Sequence, residues 1–321
     1  MKPIKYNVLI IGAGKMGSVF DDPGSANVLT HVYGFSLHQG FNVVGFVDID
    51  KKQSEIAAKK WKVKSFESVQ EAFKKEIIDI VCIATSVETH YKILKEVLDF
   101  PIKLVLLEKP IAESINETEK IMKLSRAKKI PIAINYFRRF LPEFEKIKAD
   151  IDKNKYGKFM GGSGYYGKGT LNNASHIINL LNNFFGPAVD FKTTDYFNDF
   201  SSKDLTVSTI LTFKNKSKFI LQGINSKSFT LFEIDLIFEK QRIRITESGV
   251  KVELYKISAS PIFKGYKNMI KSLEFKTSFH RYMYYVADNV YKHLTKGEKI
   301  KCDIFDAYQT LKFCFKILNN K

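Results

Sequence analysis

"YNVLIIGAGKMGSVF", residues 6–20, decides the fold: an apolar run, three glycines at fixed spacing, then a helix-compatible stretch. The run YNVLII (6–11) ends at Gly12, and Gly12, Gly14 and Gly17 form G-x-G-x-x-G. At a strand-to-helix junction each glycine has its own task. Gly12 permits the tight turn, Gly14 lets the backbone approach a pyrophosphate, and Gly17 lets helix and strand pack closely. The amides opening the helix then face the phosphates. Lys15 and Met16, inside the motif, belong to the same candidate cofactor loop. Its place directly after an apolar strand favours a dinucleotide site over the alternative, a plain strand–helix turn.

The next strand, FNVVGFVDID (41–50), supplies Asp48 at its end. A carboxylate there accepts from the adenosine ribose hydroxyls and repels a 2′-phosphate, which favours NAD over NADP. Lys51 and Lys52 keep NADP open, and the alternative role for Asp48 is a helix N-cap. Asp48 stands 36 residues after Gly12, where about 20 is usual. The excess includes DDPGSANVLTH (21–31), in which Pro23 and Gly24 must interrupt the first helix. That insertion has two readings: a segment bordering the active site, or a surface loop.

Further apolar runs follow at 78–84, 102–108 and 130–136, with amphipathic stretches such as SVQEAFKK and SINETEKIMKLSRAKK between runs. Continuous apolar strands joined by helices mean a parallel sheet buried on both faces. Residues 1–137 thus read as a doubly wound α/β domain. After about residue 155 the strands alternate with polar residues (LTVSTILTF, KFILQGI, FEIDLIF, QRIRITE, KVELYKI), and short turns separate them. Period-2 alternation predicts an antiparallel sheet with one wet face. Residues 138–321 are therefore expected to form an α+β domain with a large open, mostly antiparallel sheet. Two helices close the chain near 277–296 and 303–319, and the last is free to pack back on the first domain. An open apolar sheet face is a liability unless covered, so a homodimer or homotetramer is expected.

Composition narrows the functional classes. The chain has 321 residues, 51 Lys and Arg against 34 Asp and Glu, and a net charge of +17. A basic protein invites a nucleic-acid reading, yet the lysines are scattered and only six basic residues are Arg, the usual choice for base and phosphate contacts. We expect no nucleic-acid partner; a negatively charged small molecule fits the charge as well. Cys82, Cys302 and Cys314 form no CxxC pattern, which suggests a reducing compartment. No apolar run reaches membrane-spanning length, and the lysine-flanked start reads as a first strand rather than a signal peptide. A cytoplasmic location without membrane contact is the expectation. No His/Cys/Asp/Glu cluster has metal-ligand spacing, and no G-x-S-x-G supports a serine hydrolase.

VLLEKPIA (105–112) places Glu108, Lys109 and Pro110 at the C-terminal end of a central strand, where ligands of open α/β sheets bind. With IATSVETHYK (83–92), INYFRRFLPEFEKIK (134–148) and the helix carrying SHIINL (175–180), the chain resembles the Gfo/Idh/MocA oxidoreductases over nearly its whole length. The resemblance implies a Rossmann domain followed by an α/β domain whose open sheet serves oligomer contacts and substrate. It implies hydride transfer between nicotinamide and a carbinol or ketone carbon of a sugar, cyclitol or nucleotide sugar, with surface polysaccharide synthesis as one setting. It makes Lys109 a substrate-contacting catalytic lysine, puts Glu108 and Thr85 along the cofactor, and brings Arg138 or Arg139 to the substrate. Oxidising a hydroxyl needs a base for the O–H proton, and the reverse needs a donor to the alkoxide; a partly buried lysine suits both. His90, in the T-x-x-x-x-H segment, is read as holding a loop.

TLNNASHIINL (170–180) carries His176 among asparagines. Asn172 or Asn173 is a fitting N-cap, Gly186 and Pro187 stop the helix, and Ile177, Leu180, Leu181, Phe184 and Phe185 make an apolar face. In many members of the family the positions of Asn172 and Asn179 carry Asp. Asparagine orients an imidazole without adding charge. We expect His176 and Asn172 to contact the substrate while Lys109 carries more of the proton chemistry; a capping or packing histidine is the alternative. GGSGYYGKG (161–169) offers Tyr165, Tyr166 and Lys168 as substrate contacts or as a flexible strand-edge loop. A nicotinamide-binding regulator without turnover is the competing function: the two asparagines favour it, and intact Lys109 and His176 oppose it.

Overall fold

The computed structural model describes residues 5–320. Of the stretch leading into the first strand, residues 1–4 lie outside those described. The chain folds as two compact units: residues 5–140 with His280–Tyr308, and Leu141–Phe279 with residues 309–320.

The first unit is built on β1 (Tyr6–Ile11), β2 (Phe41–Val47), β3 (Lys64–Phe66), β4 (Ile80–Ile83), β5 (Leu104–Leu107) and β6 (Ile132–Ile134), all parallel, in the order β3-β2-β1-β4-β5-β6. Helices α1 (His31–Leu37), α2 (Lys51–Trp61), α3 (Val69–Lys75), α4 (Val87–Val97) and α5 (Ile115–Lys128) connect the strands. Every residue of β4 and β5 is buried, as a sheet covered on both faces requires. Each such aliphatic side chain stabilises the fold by about 1.5–3 kcal/mol. Local signals set the helix starts. Ser68 and Ser114 accept from Glu71 and Glu117 amides at α3 and α5, a serine–glutamate capping arrangement. Asp50, not Asp48, caps α2 by accepting from Lys52 and Gln53 amides.

The helix after the glycine loop is interrupted as Pro23 and Gly24 require: a short π turn at Lys15–Val19, an irregular stretch, then α1. The irregular stretch is well tied. Buried Asp21 accepts from the Leu29 and Thr30 amides and the Thr30 hydroxyl. The Tyr33 hydroxyl binds Ser25 O and Gly24 N.

The second unit contains α6 (Pro142–Asp152), β7 (Phe159–Tyr166), α7 (Ser175–Phe185), β8 (Asp190–Ser201), β9 (Asp204–Thr212), β10 (Lys218–Gly223), β11 (Phe232–Phe238), β12 (Gln241–Thr246), β13 (Lys251–Ala259) and β14 (Lys267–Lys276). Its sheet runs β14-β13-β12-β11-β7-β10-β9-β8 and is antiparallel except for the β7–β10 pair. Helix α8 (Tyr282–Lys296) belongs to the first unit, and α9 (Ile304–Asn319) begins in the first and ends in the second. The return of residues 280–308 is what a single cut after residue 137 does not capture.

The glycine-rich segment 161–169 is not a loop over most of its length. Residues up to Tyr166 form β7, a central strand. Glycine is demanded there by close packing: a Cβ at Gly162 or Gly164 would stand 3.0 Å from the Phe219 ring and closer still to the β11 backbone.

Candidate active site

The glycine loop divides its three glycines by what surrounds them. Gly12 has φ +99°, and a Cβ there would meet the Ala84 carbonyl at 2.7 Å; one at Gly17 would overlap Gly12 O at 1.9 Å. At Gly14 nothing lies within 4 Å of the Cβ position. Two glycines are closed by the protein's own backbone, and the third faces open space, as a loop that must admit a pyrophosphate requires. The cleft is about 700 Å³ and its walls include Gly12, Gly14, Asp48, Thr85, Ser86 and Thr89. Lys15, exposed, and Met16, half-buried, lie on the turn leading away from Gly14, and Gly17 is buried behind it.

Asp48 bridges both sides of the loop. Its carboxylate accepts from Ala13 N at 2.6 Å and Asp50 N at 2.9 Å, so it ties the end of β2 to the glycine turn while lining the cleft. Lys51, which kept NADP open, pairs with Glu67 at 2.8 Å. Thr85 accepts from the Thr89 hydroxyl at 2.7 Å. His90 is buried between two carbonyls, Pro110 O at 2.9 Å and Thr85 O at 3.1 Å. Burial holds its imidazole below the ordinary value despite those carbonyls. His90 thus clamps the Thr85 turn to the turn after Lys109. These groups fit NAD: open backbone at Gly14, a cleft-lining carboxylate at Asp48, and amides at the start of a helical turn.

At the end of β5, Glu108 is buried, with its side chain 11% exposed. Its Oε1 takes two donors, His31 Nε2 at 2.9 Å and Asn135 Nδ2 at 2.6 Å. Burial alone would raise its pKa; the His31 bond and charge, the Asn135 amide and the Lys109 ammonium outweigh that and hold the carboxyl below its usual range. An ionised carboxylate only accepts, so His31 donates. The 21–31 insertion thus ends in a residue on the E-K-P segment. His31 and Asn135 escaped the sequence reading; the available signal was the insertion itself.

Arg138 and Arg139 follow β6 and diverge. Arg139 Nη2 pairs with Asp306 at 3.0 Å, and Nη1 reaches Cys302 Sγ. These two contacts hold the Arg139 guanidinium within its own unit. Arg138 is buried, lies 4.6 Å from the Phe137 ring centre, and is pushed down to about 9 by burial, which leaves it protonated at neutral pH.

In the second unit Tyr166 corrects the sequence reading. It is fully buried, and its hydroxyl both donates to Val207 O and accepts from Val207 N, each at 2.8 Å. Burial pushes the phenol well up. Strand alternation sends Tyr166 into the core and leaves Tyr165 exposed. The helical segment carrying His176 opens as a π turn, Thr170–Ala174, and continues as α7. Neither Asn172 nor Asn173 caps it. Asp204, at the start of β9, accepts from Leu171 N and Asn172 N, while the two asparagine amides reach back to Lys168 O and Gly167 O. Asn179 is buried and donates to Thr310 at 3.0 Å. A carboxylate at 172 could not donate to the Lys168 carbonyl, which is a local reason for asparagine there. His176 is half-exposed on the first turn of α7. Asp204 is the acidic group at this turn that sequence reasoning missed, since it is distant in the chain.

Among the described residues no cluster of His, Cys, Asp or Glu could hold a metal, and no helix is long and apolar enough to cross a membrane. The three cysteines are buried and none forms a disulfide.

Comparison with known proteins follows the same outline. The Gfo/Idh/MocA model, described as an oxidoreductase family with an NAD-binding Rossmann fold, matches residues 6–136. Inositol 2-dehydrogenase of Renibacterium salmoninarum is 28% identical over 160 residues, 48% of this chain and 44% of that protein. The rhizopine catabolism protein MocA of Rhizobium meliloti is 24% identical over 152 residues, 46% of this chain and 42% of that one. The chain thus matches less than half the length of these curated relatives. Among solved structures, UDP-N-acetylglucosamine 3-dehydrogenase GnnA from Acidithiobacillus ferrooxidans superposes with a TM-score of 0.81 at 14% identity, covering 99% of this chain and 97% of that one. That likeness is one of fold.

Proposed function

We propose, from the match of residues 6–136 to the Gfo/Idh/MocA model, described as an oxidoreductase family with an NAD-binding Rossmann fold, that this chain transfers a hydride between a nicotinamide dinucleotide and a carbinol or ketone carbon of a sugar or nucleotide sugar. The observation that carries the reading is the loop that is open at Gly14 and closed at Gly12 and Gly17, on a sheet whose β5 ends in Glu108 and Lys109.

The amides from Gly12 to Gly17 hold the pyrophosphate, Asp48 accepts from the adenosine ribose, and Thr85 and Glu108 lie along the rest of the cofactor. Bound NAD supplies the uptake or release of a hydride at nicotinamide C4. Lys109 takes the substrate O–H proton during oxidation and returns it to the alkoxide oxygen in reduction. As an ammonium it also stabilises negative charge on that oxygen. His176 contacts the substrate hydroxyl, and Asn172 orients groups at its turn without adding charge. Arg138 offers a protonated guanidinium to polar or anionic substrate groups. The net charge of +17 suits an anionic nucleotide sugar, as in surface polysaccharide assembly. Met160, Ile220 and Ile237, exposed on the open sheet, suit a homodimer or homotetramer.

A regulator that binds NADH without turnover is the second reading. It is favoured by Asn172 and Asn179, whose amides are engaged with Lys168 O and Thr310 where acid–base chemistry would use carboxylates. A panel of sugars and nucleotide sugars followed at the NADH absorbance separates the two. Turnover supports the dehydrogenase; firm NADH binding without turnover on any of them supports the regulator.

A further inference from the structure

We propose that His31, delivered by the 21–31 insertion, is a positioning residue for Glu108: it fixes Oε1 so that Oε2 is presented as the hydrogen-bond acceptor for the bound nicotinamide riboside. The inference rests on the proposed cofactor role of Glu108.

Three observations carry it. First, both protein donors, His31 Nε2 and Asn135 Nδ2, converge on the same oxygen. Both bonds that the structure gives the Glu108 carboxylate fall on Oε1, on a side chain that retains 11% exposure. Two charge-assisted bonds to one oxygen fix the plane of the carboxylate and leave the other oxygen's lone pairs to a further donor. Second, the arrangement costs something. His31 Nδ1 and Asn135 Oδ1 are both buried without partners. Orphaned polar atoms are rare in cores, and here each belongs to a side chain whose other end is committed to Glu108. Third, His31 is held in place from outside its own helix. Asp21 clamps the preceding residues. The Tyr282 hydroxyl donates to Leu29 O, and the Val28 and Met283 backbones are paired with His280 and Val28. The insertion is therefore a braced strut, and its last residue is completely buried against the E-K-P turn.

Glu108 is faced by His31 from α1, Asn135 after β6, His90 from α4, Cys82 from β4, Tyr282 from α8 and its neighbour Lys109. Of these, His31 supplies the first hydrogen bond that opposes the effect of burial on the carboxyl. Removing it leaves burial less opposed, so Glu108 retains a proton at higher pH and loses Oε2 as a charged acceptor.

The test is NADH affinity against pH for the intact chain, by fluorescence titration, in wild type, His31→Leu, His31→Gln and Asn135→Leu. His31→Leu fills the volume without a donor; His31→Gln keeps a side-chain N–H at similar reach. The expected result is about tenfold weaker binding near neutrality in His31→Leu, an acid limb displaced to higher pH, substantial recovery in His31→Gln, and a displacement in the same sense in Asn135→Leu. If His31→Leu melts earlier but binds NADH with wild-type affinity and pH dependence, His31 is structural only and the proposal is overturned. If His31→Leu does not fold, Asn135→Leu decides by the same displacement: its presence supports the convergence on Oε1, and its absence overturns it. If wild type binds no NADH, the cofactor reading itself has failed, which is a separate outcome.

Discussion

Adjacent residues with the same chemistry have opposite fates in two places. Tyr165 is exposed while Tyr166 is sealed against Val207; Arg138 sits against Phe137 while Arg139 is committed to Asp306. In each pair the sequence shows chemistry but not direction, because direction depends on strand register and on partners far along the chain. Tyr166→Phe leaves the Val207 N–H and C=O without their partner, at a cost of about 1–3 kcal/mol. The expected outcome is a lower urea midpoint with unchanged NADH affinity; weakened NADH binding at unchanged stability would return Tyr166 to the site. His90 gives a pH prediction. Its folded-state value lies below the ordinary 6.5, so the unfolded chain binds the proton more readily. Stability is then full above about 6.5 and falls as pH drops through the folded value. The urea midpoint should be lower at pH 5 than at pH 7, and His90→Gln should shrink that difference; an unchanged difference assigns the acid sensitivity elsewhere, to groups such as Glu108.

At the scale of elements, what could be read depended on burial. The strands of the first unit announce themselves as apolar runs because both faces are covered. Five strands of the second unit were legible by alternation. β7 was hidden by glycines that exist to admit the Phe219 ring, and β8 and β14 by their polar, exposed residues. The glycine loop and E-K-P were legible because their spacing is local. The Glu108–His31–Asn135 cluster and the Asp204 cap were not, since each joins segments that only the fold brings together. The same elements set a cofactor preference. Asp48 lines the cleft and Lys51 is engaged by Glu67, so NADH should bind at least about tenfold more tightly than NADPH. Asp48→Ser should narrow that ratio; equal affinities in the wild type would contradict the assignment of Asp48 to the ribose.

At the scale of the molecule, the fold class expected from the sequence is the one observed, a doubly wound parallel sheet plus a larger, mostly antiparallel one. The chain also returns, so that α8 is part of the first unit. Such a return makes the far end of the chain necessary to the cofactor half: Tyr282 holds Leu29, and Asp306 holds Arg139. Truncation after residue 279 should therefore lower the stability of the first unit and weaken NADH binding, whereas unchanged binding would show that residues 5–140 hold the site alone. The central claim is that Lys109 performs proton transfer for a hydride reaction at this site. Its most direct test is absorbance at 340 nm with purified protein, NAD and a panel of sugars and UDP- or GDP-sugars, beside Lys109→Met. The account expects turnover in the wild type, a loss of about 10²-fold or more in kcat for the variant, and NADH binding retained in both. Turnover that survives Lys109→Met at its full rate would contradict it.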